Sequence, residues 1–223
     1  MDVSIIIPTY HPDKELLSLI EDKIKNQKTQ RNIEIIKING NKGLANALNK
    51  GIKKSKNELI VSIHQDCIPV KTNWLETLLN PLKNEKTVAS VSNVYDVENK
   101  KSYTPRLDEK GCAYKKSALK KVNYFDERTF LNSGEDMDMY LKLKKIGKIA
   151  YPHCIIEHYH PGYVKKKSAY KIYQNANTWG CLFRIYGFKV PGIYKAIIQT
   201  TINPKYLYWF VKGYLNRKQD YKK

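Results

Sequence analysis

Short apolar runs alternate with amphipathic stretches early in the chain, and this alternation constrains the fold more than any other feature. Four runs have the length and composition of buried strands. They are residues 3–7, 33–38, 58–63 and 87–94. Residues 13–25 and 39–54 carry leucine and isoleucine at helical spacing between them, and residues 73–76 have the Asn-x-x-Glu form of a capping box before a third helix. The pattern predicts an α/β architecture, with a mostly parallel, doubly wound sheet flanked by helices.

Polar loops follow the first three predicted strands. Their sequences are Thr9-Tyr10-His11, Asn39-Gly40-Asn41 and His64-Gln65-Asp66. Because ligands bind beyond the carboxyl ends of parallel strands, we expect the loops to form a binding crevice. The sequence has neither a GxGxxG nor a Walker A motif, which argues against a dinucleotide-binding fold and a P-loop ATPase. We therefore expect a divalent cation to bind the phosphates of the ligand. Asp66 is the one carboxylate in these loops that is placed to bind that cation.

A cluster of three carboxylates, Glu135, Asp136 and Asp138, stands at the start of another predicted helix, which ends at Gly147. Backbone N–H groups and the helix dipole stabilise negative charge at such a position. An ionised Asp136 is therefore suited to accept a proton from a hydroxyl group. The alternative interpretation is a capping cluster without a chemical role.

Several of these segments, taken in order, resemble consecutive blocks of family 2 glycosyltransferases, including bacterial and archaeal rhamnosyl-, galactofuranosyl- and related glycan-assembly transferases. The blocks are residues 4–10, 43–52, 63–69, 111–114, 125–127 and 134–138. Together they cover about residues 3–160. The resemblance implies a GT-A fold, a nucleotide-sugar donor, a divalent metal and inversion at the anomeric carbon of the sugar.

The metal motif of this family, Asp-x-Asp, falls on His64-Gln65-Asp66, so that histidine replaces its first carboxylate. The resemblance leaves Asp66 as a metal ligand, and His64 either contacts the ribose or diphosphate or binds the metal through water. The family's Glu-Asp pair falls on Glu135 and Asp136. It implies that Asp136 is the general base and that Glu135 positions the acceptor. We expect Asp138 to be structural and paired with Lys142, four residues further along the helix.

A metal-binding histidine often follows the next strand in this family, and His158 and His160 stand at that point. We favour His158, since Asp66 lacks a carboxylate partner, although a structural histidine is the ordinary alternative. An imidazole ligand favours Mn²⁺ over Mg²⁺.

The donor side rests on the first two polar loops. The resemblance aligns Thr9 and Tyr10 with the loop against the nucleobase, and Asn39 stands where an acid commonly reads the base. We also assign Gly43, His64 and Gln65 to the nucleotide-sugar site. Because asparagine both donates and accepts hydrogen bonds, a UDP or dTDP sugar is favoured over a GDP sugar.

The composition changes near residue 160. Residues 161–223 carry 13 Lys and Arg against one acid, and 14 of the 25 aromatic residues. We therefore divide the chain into a catalytic domain (1–160) and a basic, aromatic-rich helical extension (161–223). Residues 206–218 and the cluster Lys165-Lys166-Lys167 have the character of a surface that meets an anionic membrane. The alternative is a helical appendix that packs on the catalytic domain.

A membrane contact would imply a polyprenyl-linked glycan as the acceptor, rather than a free glycan. Four dispersed cysteines without a CxxC pair, together with no signal peptide or apolar span, predict a cytoplasmic protein that binds peripherally at the inner face of a membrane. A nucleic-acid-binding protein would use the same basic tail, but it leaves Asp66, Asp136 and His158 unexplained. A metal-dependent phosphodiester or nucleotide-sugar hydrolase is the other alternative.

Overall fold

The computed structural model describes residues 1–130, 133–159 and 169–215. The strands are β1 (Val3–Thr9), β2 (Ile33–Asn39), β3 (Leu59–Ile63), β4 (Cys67–Pro69), β5 (Thr87–Val91), β6 (Asn93–Asp96), β7 (Lys101–Tyr103), β8 (Gly111–Lys115), β9 (Lys148–Ala150) and β10 (Ile155–His158). The helices are α1 (Lys14–Lys25), α2 (Leu44–Lys54), α3 (Trp74–Leu79), α4 (Lys116–Lys121), α5 (Glu135–Lys144), α6 (Ala169–Tyr186), α7 (Ile193–Ile202) and α8 (Pro204–Leu215).

Six strands form the central sheet in the order β2-β1-β3-β8-β5-β9. β1 runs parallel to both β2 and β3, and β9 runs parallel to β5. β8 lies antiparallel between β3 and β5. The sheet is therefore mostly parallel, and the predicted α/β class is confirmed, although the antiparallel strand was not predicted.

Helices cover both faces of this sheet, as a doubly wound fold requires. On one face, α1 and α3 pack side chains such as Ile20 and Trp74 against Ile5 of β1. On the other, α2 and α5 pack residues including Leu48 and Met139 in the cluster that holds Ile6. Because successive side chains of a strand point to opposite faces, β1 contributes to both cores and is apolar at consecutive positions.

The predicted strand 87–94 is wrong as a single element. The chain leaves the central sheet at Ser92, whose N–H donates to the Gly111 carbonyl at 2.9 Å. β5 before it belongs to the central sheet, whereas β6 after it belongs to a second sheet in the order β4-β10-β6-β7. This smaller sheet brings β10 beside β4, and it therefore positions the end of β10 near the loop that follows β3.

The predicted capping box at α3 is also wrong. Asn73 caps α3 without a side-chain hydrogen bond. The Glu76 carboxylate instead accepts hydrogen bonds from Arg31 Nε at 2.7 Å and from the Thr29 hydroxyl at 2.5 Å. The ion pair with Arg31 ties α3 to the segment before β2.

The C-terminal helices α6, α7 and α8 form the predicted helical extension. Their core contains Ala176, Leu182, Ile193 and Phe210, and it continues into Phe130 of the N-terminal part. Glycines let α6 and α8 approach closely: a Cβ added at Gly213 would lie 2.0 Å from the Asn177 carbonyl oxygen. The division into two domains at residue 160 stays a prediction.

Some predicted features lie outside the described residues. They are His160, the Lys165-Lys166-Lys167 cluster and the end of the proposed interfacial helix, residues 216–218. Within the described part of the chain, no helix combines the length and the apolar character that crossing a membrane requires.

Candidate active site

A pocket of about 460 Å³ opens beyond the carboxyl ends of β1, β2 and β3. Because these parallel strands end at the same edge of the sheet, the three polar loops meet there, as predicted. The lining residues are Pro8, Thr9, Tyr10, Gly40, Asn41, Gly43, Leu44, His64, Gln65 and Asp66. The predicted residue Asn39 is not among them; its side-chain oxygen accepts a hydrogen bond from the Asn41 N–H at 3.0 Å and shapes the turn.

Two hydrogen bonds hold the first and third loops together. The Tyr10 N–H donates to Gln65 Oε1 at 2.6 Å, and Gln65 Nε2 donates to the Tyr10 carbonyl at 2.9 Å. The Tyr10 ring itself is half exposed. Gly43 begins α2 with a left-handed φ of 96°, which glycine adopts at low cost. The pocket thus has a fixed polar frame, and at its rim the half-exposed Tyr10 ring packs edge-on against His11.

Asp66 and His158 lie together at one side of this pocket. The antiparallel pairing of β4 with β10 sets His158 opposite Cys67, and the Tyr159 N–H donates to the Asp66 carbonyl at 2.8 Å. As a result, Asp66 Oδ2 is 3.5 Å from His158 Nε2. Burial would raise the pKa of Asp66, but the contact with His158 and the charge of His64 lower it on balance. The predicted pair is thus an ionised carboxylate beside an imidazole.

His64 lies next to this pair. Side-chain ligand atoms of His64, Asp66 and Cys67 are all within 4.8 Å of one another. Burial, reinforced by the charge of Lys110, lowers the pKa of His64 to about 4, so that its imidazole is neutral near pH 7. His64 Nε2 is buried and has no hydrogen-bond partner among the described residues. A neutral imidazole and a carboxylate form a donor set that suits a borderline divalent metal.

The acidic cluster begins α5 after Gly134, which has a left-handed φ of 92° and provides no side-chain cap. Within the first turn, Asp136 Oδ1 accepts a hydrogen bond from the Met137 N–H at 2.7 Å. Asp138 forms the predicted ion pair with Lys142 at 2.6 Å. Its Oδ1 also accepts a hydrogen bond from the Tyr186 hydroxyl of α6 at 2.5 Å. Asp138 thus joins α5 to the C-terminal helices.

Glu135 and Asp136 have a different environment. Burial and the neighbouring charge of Asp136 raise the pKa of Glu135 to about 8. Burial and the charge of Asp108 raise the pKa of Asp136 to about 6. Burial and the repulsion between neighbouring carboxylates thus make this pair bind protons closer to neutral pH than ordinary carboxyl groups do. A carboxylate with a pKa this close to neutrality is well matched to accept and release a proton.

Asp136 opens into a second pocket of about 590 Å³. Its lining comes from α5, from the loop before β8 and from α6. The residues are Leu44, His64, Asp108, Glu109, Lys110, Ser133, Gly134, Glu135, Asp136, Met137, Asn175, Thr178, Trp179 and Leu182. Leu44 and His64 line both pockets. The cavity that holds Asp136 therefore adjoins the cavity that holds Asp66.

Two contributors to the second pocket were not predicted. The charged run Asp108-Glu109-Lys110 stands directly before the predicted block 111–114, and this position was the available signal. Asn175, Thr178 and Trp179 reach the pocket because α6 packs on the start of α5, where the Ser133 and Thr178 hydroxyls are 2.7 Å apart. No local pattern in the sequence indicates that contact.

The chain matches the model of a known protein family. The family model described as "Glycosyl transferase family 2" matches residues 14–140, which is more than half of the chain. No curated protein sequence matches the chain.

Three solved structures illustrate what this chain is similar to. GalNAc-T7 with UDP, GalNAc and Mn²⁺ has a TM-score of 0.61 at 12% identity, over 79% of this chain and 51% of that one. The mannosyltransferase PcManGT from Pyrobaculum calidifontis, in complex with GDP-Man and Mn²⁺, has a TM-score of 0.58 at 14% identity, over 95% and 73%. S. aureus TarS 1–349 has a TM-score of 0.58 at 14% identity, over 96% and 81%. The chain thus spans about half the length of the GalNAc-T7 chain, and the likeness is one of fold.

Proposed function

Because the chain belongs to glycosyl transferase family 2 and has the GT-A fold, we propose that it is an inverting glycosyltransferase. It moves a sugar from a nucleotide-diphosphate donor to a hydroxyl group of a glycan. One observation carries this proposal: the pocket beyond β1, β2 and β3 and the pocket of Asp136 share His64 and Leu44. A donor and an acceptor bound in adjoining pockets meet at that boundary.

The donor occupies the first pocket. Its base lies against Thr9 and Tyr10, on the frame that Gln65 fixes. The backbone at Gly43, where α2 begins, approaches the sugar-phosphate side. We favour a UDP or dTDP sugar, as the sequence predicts, because the polar groups at this rim suit a pyrimidine.

The donor set beside the first pocket fits a divalent metal. Asp66 and His158 would hold Mn²⁺, or Mg²⁺ less favourably, with His64 close by. PcManGT and GalNAc-T7 were both solved with Mn²⁺. A metal bound there would supply positive charge to the diphosphate.

Asp136 acts as the general base. Its carboxylate takes the proton of the acceptor hydroxyl while that oxygen forms a bond to the anomeric carbon, and the bond from that carbon to the diphosphate breaks. Attack from the side opposite the leaving group inverts the configuration. Glu135, whose buried carboxyl group has a raised pKa, orients the acceptor through a hydrogen bond.

The acceptor is a glycan that a polyprenyl lipid presents at the inner face of a membrane. Residues 169–215 contain six Lys and Arg and no acid. Several large apolar side chains of this segment are exposed, and Tyr194, Ile198 and Ile202 form a stripe along α7 at intervals of one helical turn. An apolar stripe with surrounding cations and no carboxylates suits an anionic bilayer. The protein would then bind a membrane peripherally.

Two measurements test these statements. In a thermal-shift screen, UDP and dTDP sugars should raise the melting temperature with Mn²⁺ present, because ligand that binds only the native state stabilises it. If the donor is split equally fast without any acceptor, the hydrolase alternative is correct instead.

For the membrane, the protein should sediment with vesicles of phosphatidylglycerol but not with neutral phosphatidylcholine. Ile198→Asp should reduce that binding, whereas Leu19→Asp, at an exposed position of α1 outside this segment, serves as the control.

A further inference from the structure

Lys110 lies at the boundary between the two pockets. β8 pairs antiparallel with β3, and the last pair of the ladder is Ile63 with Gly111. Continuing that register by one residue sets Lys110 across from His64. Lys110 lines the pocket of Asp136, and His64 lines both pockets. The side chain therefore reaches the place where donor and acceptor would meet.

Charge interactions agree with this position. Burial would lower the pKa of Lys110, but its ion pair with Asp108 at 2.6 Å outweighs this effect and raises the pKa. The ammonium group therefore stays charged. The charge of Lys110 contributes to the lowered pKa of His64, beside the metal ligands. It also offsets part of the rise in the pKa of Asp136, in the second pocket. Lys110 is thus a permanent cation that acts on both halves of the site.

The loop that carries Lys110 is firmly held. The adjacent Glu109 carboxylate accepts hydrogen bonds from the Ser62 hydroxyl of β3 at 2.5 Å and from the Tyr114 hydroxyl of β8 at 2.6 Å. The side chain of Lys110 itself is only 16% exposed. A cation fixed in this way loses little entropy when it meets an anion, and lysine is an effective point charge for phosphate.

We propose that Lys110 binds the diphosphate of the donor and stabilises the nucleoside diphosphate as it leaves. This inference rests on the proposed function. When the bond between the anomeric carbon and the diphosphate oxygen breaks, its electron pair stays on that oxygen. The acceptor proton goes to Asp136, so the new negative charge remains on the phosphate, beside the Lys110 ammonium. The hydrogen bonds with Asp108 and Tyr103 leave one of the three N–H donors of Lys110 for a phosphate oxygen.

The test compares uridine, UMP and UDP as probes in calorimetric titrations with Mn²⁺, with the thymidine series run in parallel. Lys110→Met should weaken UDP binding about tenfold or more and leave uridine binding unchanged, since charge-assisted hydrogen bonds to phosphate are lost. Lys110→Arg should retain most of the affinity. Lys148→Met, at the other end of the central sheet, is the matched control and should bind like the wild type.

Asp108→Asn provides a second variant that keeps the lysine and removes its competing carboxylate. It should bind UDP as tightly as the wild type or more tightly. If the wild type binds neither UDP nor dTDP, the proposed function itself fails. If the wild type binds UDP and Lys110→Met binds it equally well, only the role of Lys110 is overturned. The same holds if Asp108→Asn weakens UDP binding as much as Lys110→Met does.

Discussion

His158 Nε2 lies 3.5 Å from Asp66 Oδ2, because β10 pairs with β4 in the smaller sheet. The two residues are 92 positions apart in the sequence. Their contact supports a metal site that lacks the first carboxylate of the family motif, where His64 stands. An ionised carboxylate and an imidazole at this separation can both bind one metal ion without a large rearrangement.

Replacing either residue should remove metal-dependent nucleotide binding. For the wild type, we expect EDTA to weaken UDP binding about tenfold or more, since the cation that offsets the diphosphate charge is removed. For His158→Ala and Asp66→Ala, the affinity with Mn²⁺ should already be that low and EDTA should have no further effect. Titration calorimetry measures the affinity for UDP of each protein with Mn²⁺ and with EDTA. The exposed His153 supplies the control, and His153→Ala should keep the full response to EDTA.

Asp136→Asn should remove transfer while leaving donor binding intact. Asparagine has nearly the same shape but cannot accept the acceptor proton, and general base catalysis contributes about a hundredfold to ten-thousandfold. The rate of sugar transfer and the Kd for UDP with Mn²⁺ should be measured on the same preparation. Residual transfer within tenfold of the wild type would exclude Asp136 as the base. Asp126→Asn is a suitable control, because Asp126 caps the turn at Thr129 outside the second pocket.

The pH dependence of transfer should report the raised pKa of Asp136. Since the base must be ionised, kcat/KM should fall about tenfold per pH unit below pH 6, where a carboxylate of ordinary pKa would still be active. Asp108 raises this pKa, whereas Lys110 lowers it. Asp108→Asn should therefore move the acidic limb to lower pH at saturating Mn²⁺. An acidic limb that stays in place would show that another group controls it.

Most elements predicted from local periodicity are confirmed, and the single strand 87–94 is the exception. α1 and β2 agree closely with residues 13–25 and 33–38, because the spacing of apolar residues depends only on neighbours in the chain. The antiparallel insertion of β8 and the change of sheet at Ser92 depend on partners far away in sequence. Such pairing leaves no periodic mark, so neither was predictable.

The candidate site likewise contains residues whose positions could be predicted from the sequence and residues whose positions could not. Thr9, His64 and Asp66 lie at strand ends, and their convergence follows from the parallel sheet. The position of Trp179 of α6 in the second pocket does not follow from the sheet, because it depends on how Phe130 packs with the C-terminal helices. The roles assigned to individual residues stay predictions for the experiments above.

Tyr186→Phe should destabilise the protein even though it removes a single oxygen atom. The Tyr186 hydroxyl donates to Asp138, whose side chain is 2% exposed and would keep only Lys142 as a partner. Leaving a buried carboxylate oxygen without its hydrogen bond costs about 1–3 kcal/mol. The free energy of unfolding in urea measures the loss. Tyr194→Phe, on an exposed side chain of α7, should change it by less than about 0.5 kcal/mol. Equal effects of the two variants would contradict a stabilising contact between α5 and α6.

Glu109 should make the folded protein less stable as the pH rises. Burial raises its pKa from an ordinary value of 4.5 to about 7. Between these values the folded state binds this proton more tightly than the unfolded state does, so the free energy of unfolding falls with increasing pH and levels off above 7. Glu109→Gln cannot titrate, and the Ser62 and Tyr114 hydroxyls can each donate to or accept from its amide.

The variant should therefore gain stability relative to the wild type as the pH rises from 5 to 8, by about 2–3 kcal/mol. Urea unfolding of both proteins at these two pH values measures the effect. The charge of Glu109 also raises the pKa of Glu135, so the difference includes this coupling. A Glu109→Gln difference that is the same at both pH values would show that Glu109 is ionised in the folded protein throughout, and that its hydrogen bonds with Ser62 and Tyr114 outweigh the effect of burial.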